Sequence, residues 1–146
     1  MLDWKTMRPR PLGISLALLL ATILAGLVIR FAPLGLPPCV VKYGGSTLWA
    51  VCIYWVVSSL LPQWRLAGIA ALTGASATTV EFLKLYHSPA MDAFRLTLPG
   101  ILLLGRFFSL WGIVAYWLAI LAATILDRSI RKHLSFLAAD SVVIHD

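Results

Sequence analysis

The chain has 146 residues, 60% hydrophobic and 12% charged, with a formal net charge of +6, where soluble domains are roughly half apolar and a quarter charged. This composition excludes a disordered chain and leaves too few charges to cover the large surface of a small soluble domain, so it calls for lipid as the solvent. The basic residues stand singly between apolar runs, with no basic helix face or interleaved stacking aromatics, so anionic lipid headgroups are the expected partner and nucleic acid is not.

The first predicted span is 12–30. It is free of charge and proline through residue 29, and about 20 apolar residues suffice to cross a hydrocarbon core. Lys5, Arg8 and Arg10 precede it as in a secretory signal, but the apolar run is long for one and no A-x-A site follows, so we read an uncleaved helix. Pro33, Gly35, Pro37 and Pro38 then break helical pattern, and Lys42-Tyr43-Gly44-Gly45 prolongs the break. The second span is therefore placed at 46–61, ending at Pro62 with Trp64 beside Arg65 as an interfacial anchor.

The third span, 66–86, is rich in small residues such as Gly68, Ala71, Gly74, Ala75 and Ala77. Such helices approach a neighbour closely, which places this one inside the bundle and makes its small-residue face the expected seam of a homo-oligomer. Residues 90–105 contain an apolar stretch of only seven, interrupted by Pro99 and Gly100. That is too short to cross, so a short re-entrant or interfacial helix is expected. The last span is 107–126, followed by a cytoplasmic tail, 127–146, forming a short surface helix. The fold class is all-α, a polytopic transmembrane bundle of about four spans in one domain.

Four spans put Lys5, Arg8, Arg10, Arg65, Arg128, Arg131 and Lys132 on one side and Arg30, Lys42, Lys84, Arg95 and Arg106 on the other, seven against five. Basic residues collect in the cytoplasm, so both termini are assigned there; a fifth span would reverse the balance.

Glu81, Lys84, Tyr86, His87, Asp92 and Arg95 concentrate ionisable groups beside the end of the third span. Such groups usually face the protein interior, a partner or a polar cavity. Glu81 with Lys84, and Asp92 with Arg95, stand at i and i+3, so each pair can neutralise itself on one helix face and fasten the short helix to the third span. The functional reading is an outer-facing polar pocket in which Arg95 or Lys84 holds an anionic headgroup or small ligand. No metal or cofactor is expected, because only Glu81, His87 and Asp92 are close enough in sequence to act as donors and no Ser-His-Asp or metal-ligand spacing is present. Cys39 and Cys52 lack a C-x-x-C spacing, and Cys52 is expected to pack as a small hydrophobe.

The order Lys42-Tyr43-Gly44-Gly45, Leu48-Trp49-Ala50, Val80-Glu81-Phe82, Leu85-Tyr86-His87, Asp92-Ala93-Phe94-Arg95 with Thr97, and Gly100 to Leu104-Gly105 resembles the bacterial membrane family called domain of unknown function 2809, over roughly residues 12–127. Its layout is also similar to the broader VanZ-like group. The resemblance implies a small multi-pass protein of the bacterial cytoplasmic (inner) membrane and, through the VanZ-like link, cell-envelope biology. It carries no established catalytic residue. The sequence departs from the family pattern at Ser46, Lys84 and Gly112, where an Asp, a Gln and an acidic residue are usual. The expected function is a non-enzymatic bundle with a polar pocket. The alternatives are an envelope enzyme acting on a lipid-linked substrate and an oligomeric transporter or channel subunit.

Overall fold

The computed structural model describes residues 9–33, 35–103 and 108–143. Among these the secondary structure is helical and no strand occurs: α1 Leu12–Phe31, α2 Pro38–Leu60, α3 Leu66–Leu83, α4 Pro89–Arg95, α5 Leu98–Leu103 and α6 Leu110–Val143. Among the described residues, four helices are long and apolar enough to cross a membrane: Leu12–Phe31, Pro38–Leu60, Leu66–Leu83 and Leu110–Ala138.

Four boundaries differ from the expectation, the smallest being the third span, whose helix ends at Leu83 rather than at residue 86. The second helix starts at Pro38 rather than near residue 46, so Lys42-Tyr43-Gly44-Gly45 is helix and not loop. Proline at the first helical position has no needed N–H to lose and a φ already suited to the helix, and in lipid an unwound Gly-Gly would leave its backbone unsatisfied. The region expected to hold one short helix at 90–105 holds two. Ser88 caps α4, its Oγ accepting from the Met91 N–H at 3.3 Å. Thr97 separates α4 from α5, its Oγ1 donating to the Phe94 carbonyl at 2.7 Å and accepting from the Gly100 N–H at 3.2 Å. Finally, α6 does not stop at residue 126. It runs for 34 residues, about 51 Å against a core of about 30 Å, so residues 127–143, assigned to a cytoplasmic tail, continue the same helix. Lys5, Arg8, Arg106, the ends of the predicted short helix and tail, and the start of the predicted last span lie outside the described residues.

Helix α2 is central, packing on α1, α3 and α6, while α3 also packs on α6. Gly44 facing Ile29, and Trp55 bonded to Thr22, make α1 and α2 antiparallel. Tyr43 near Ser109, and Tyr54 bonded to Asp127, make α2 and α6 parallel. Arg10, Ser58 and Asp127 thus meet at one end of the bundle, and Glu81, α4 and α5 sit at the other.

Burial is inverted relative to a soluble domain. Among the described residues ten buried polar or charged residues accompany eight buried hydrophobic ones, while Leu12, Leu16, Leu20, Leu24 and Leu118 are exposed. Only lipid makes this arrangement favourable, because exposed leucine costs nothing there and a polar side chain is satisfied only inside the protein.

Candidate functional site

The predicted polar residues form two connected tiers. In the inner tier, Glu81 at the end of α3 is 1% exposed and is held by three donors. Lys84 Nζ donates to Oε2 at 2.5 Å, Tyr116 Oη to Oε2 at 2.6 Å, and the Ser109 backbone N–H to Oε1 at 2.8 Å. Ser109 also caps α6, its Oγ accepting from the Gly112 N–H at 3.3 Å. The carboxylate therefore sits at the N-terminus of α6, where the helix dipole favours negative charge. A Cβ at Gly112 would stand 3.4 Å from Glu81 Oε1, so the bare glycine leaves this carboxylate uncrowded. Lys84 is also buried, and its ammonium lies 3.4 Å from Tyr116 Oη.

The outer tier rests on α4. Arg95 Nη1 donates to Asp92 Oδ1 at 3.1 Å and Nη2 to the Leu83 carbonyl at 2.6 Å, which also accepts from the Tyr86 N–H at 3.1 Å at the end of α3. Its Nε is buried without a partner. Asp92 also meets His87 Nδ1 at 3.2 Å, and here the chain opens: the His87 and Asp92 side chains are 70% and 48% exposed. Tyr86 is exposed beside them. Both i, i+3 pairs inferred from spacing are thus formed, and Arg95 further ties α4 to α3. The structure shows no bond between Glu81 and Arg95; the tiers join through the backbone from Leu83 to Lys84. Charges balance within the cluster, Glu81 against Lys84 and Asp92 against Arg95. Chemically, the exposed Asp92 carboxylate can take an ammonium group, and the His87 and Tyr86 edges a hydroxyl or phosphate. Among the described residues no three His, Cys, Asp or Glu side chains converge.

A second cluster, unanticipated from the sequence, lies at the opposite end. Asp127 is fully buried. Its Oδ2 accepts from Ser58 Oγ at 2.7 Å and Tyr54 Oη at 3.1 Å, and its Oδ1 from Arg131 Nε at 2.9 Å. Arg10 Nε approaches Oδ1 at 3.2 Å without hydrogen-bond alignment, while Arg10 Nη2 donates to Ser58 Oγ at 2.9 Å. Arg131 also reaches the Pro62 carbonyl at 3.0 Å, tying the α2–α3 connection to α6. The Arg10 guanidinium lies 4.7 Å from the Trp55 ring centroid, and Trp55 Nε1 donates to Thr22 Oγ1 on α1 at 3.1 Å. Burial lowers the Arg10 pKa from its ordinary value and Asp127 works against that; a guanidinium starts so high that it stays charged. The available sequence signal was Asp127 and Arg131 at i and i+4, the spacing rule that picked out Glu81 and Lys84.

A family model described as "Protein of unknown function (DUF2809)" matches residues 35–120, well over half of the chain. The chain belongs to the DUF2809 family. Nothing among curated proteins or solved structures matches it. The stretch matched to DUF2809 contains Glu81, Lys84, Asp92, Arg95 and Tyr116, and ends before Asp127 and Arg131.

Proposed function

We propose that this chain is a non-enzymatic integral membrane protein of the bacterial cell envelope, seated in the cytoplasmic membrane with both termini inside. Its Glu81 to Arg95 end then presents a polar pocket on the outer face that binds a lipid headgroup or small polar ligand. The observation that carries this reading is the rim of Asp92, His87 and Tyr86, open to the surroundings and backed by Arg95, whose buried Nε has no partner. A buried donor without an acceptor is a standing cost that an incoming oxygen would remove. Binding is favoured over catalysis because three donors occupy Glu81 and the His87–Asp92 pair stands exposed rather than in a water-excluded cleft. Self-association completes the proposal: α3 turns Gly74 and Ala77 inward but leaves Ala67, Ala71, Ala75 and Thr79 exposed, four residues apart along one stripe.

The test is thermal stability of the detergent-purified protein across envelope lipids and lipid-linked precursors, with Asp92→Asn and Arg95→Ala beside the wild type. A ligand at about a hundred times its Kd adds about 2.7 kcal/mol of stability. One headgroup should raise Tm selectively, and both variants should abolish that rise. Variants destabilised before any lipid is added, with no selective rise in the wild type, would make the cluster a fastening between α3 and α4 and sink the binding reading.

A further inference from the structure

A groove of about 480 Å³ runs between α1 and α2, with neither Asp92 nor Arg95 in its lining, walled by Leu19, Ile23 and Leu27 on one side and Leu48, Cys52 and Val56 on the other. It exists for two reasons. Helix α1 packs chiefly on α2, so their shared flank stays open to the membrane. Gly26 and Gly45 on its floor also carry no side chain, and a Cβ at Gly45 would meet nothing within 4 Å.

From Leu19 to Arg30 the groove climbs 11 helical residues, about 16 Å, close to half of a hydrocarbon core of about 30 Å. Its length is therefore the depth of one leaflet. Arg30 closes the interfacial end, in the last turn of α1; it is exposed and has no hydrogen bond or ion pair with the described residues. An apolar trough one leaflet deep with a free guanidinium at headgroup level matches one amphiphile. We infer that this groove holds an acyl chain of an anionic phospholipid, whose phosphate pairs with Arg30. The inference is independent of any ligand at Asp92 and Arg95.

Native mass spectrometry of the purified chain, supplied with phosphatidylglycerol or phosphatidylcholine, tests it with two variants. Arg30→Gln removes the phosphate partner. Gly45→Leu fills the groove at a site with space for it and replaces glycine with a better helix former, so its fold should hold. The wild type should retain phosphatidylglycerol about fivefold better than phosphatidylcholine, the expected scale for one basic residue at a membrane surface. Arg30→Gln should bring that ratio near one. Gly45→Leu should retain neither lipid while its Tm is unchanged or raised. Unchanged lipid retention in Gly45→Leu would overturn the inference, as would equal retention of the two lipids by the wild type. A wild-type dimer that Gly45→Leu dissociates would also overturn it, by assigning the groove to a second copy.

Discussion

At the scale of single residues, the most consequential side chain is Asp127. Among the described residues it is the carboxylate that Arg10 and Arg131 share, and all three are buried. Removing its charge would leave two guanidiniums in a low-dielectric interior without their counter-ion. Breaking a buried pair in this way costs about 3–5 kcal/mol. Asp127→Asn should therefore lower the free energy of unfolding in detergent by that amount, while Asp92→Asn, half-exposed and facing an Arg95 that keeps its bond to the Leu83 carbonyl, should cost far less. Equal losses for the two variants would show that the Asp127 cluster does not hold the bundle end together. The pairs at i, i+3 were legible in the sequence because helix geometry alone brings them together. The third donor to Glu81, from the Ser109 backbone, was not, since it comes from the opening of another helix.

At the scale of elements, backbone and side chain compete at the α4–α5 junction. A Cβ at Gly100 would fall on the Phe94 carbonyl and crowd the backbone of Arg95, neither of which can swing aside as a side-chain tip could. Gly100→Ala must then displace α4 against α5, outweighing the gain of about 1 kcal/mol in helix propensity. We expect lower thermal stability and faster amide exchange in α4, and slower exchange there would contradict the packing described. Gly74 is a milder case, because its added Cβ would meet the outer edge of the Trp117 indole, a partly exposed side chain that has room to move. Helix limits were least legible where proline was involved. Pro38 looked like a breaker and is the first residue of α2. The continuation of α6 past residue 126 was hidden for a different reason: Asp127 reads as a surface residue until Ser58, Tyr54 and Arg131 are seen around it.

At the scale of the whole molecule, the bundle keeps its two polar clusters at opposite ends. Tyr116 and Asp127 are 11 residues apart on α6, about 16 Å along the axis. That is about half of a hydrocarbon core of about 30 Å, so each cluster neutralises its own charge at a depth where an unpaired ion would be costly. This arrangement predicts sidedness. In a Cys39→Ser, Cys52→Ser background, Leu36→Cys and His87→Cys should react with an impermeant maleimide from the same face of intact membranes, and Trp64→Cys only from the other. Labelling of positions 36 and 87 from opposite faces would refute the antiparallel order of α1, α2 and α3.

Composition and local spacing were enough to establish the solvent, the all-α class, the number of spans and the ion pairs within a single helix turn. These depend on composition and on spacings shorter than five residues, which act whatever the rest of the chain does. Which face of each span turns inward emerged only from the packing of the helices on one another. In spans apolar on nearly every side, rotation about the axis is set by a few polar contacts between helices rather than by a hydrophobic stripe. Ser58 and Asp127, 69 positions apart, become partners through such a rotation, and no local spacing records it.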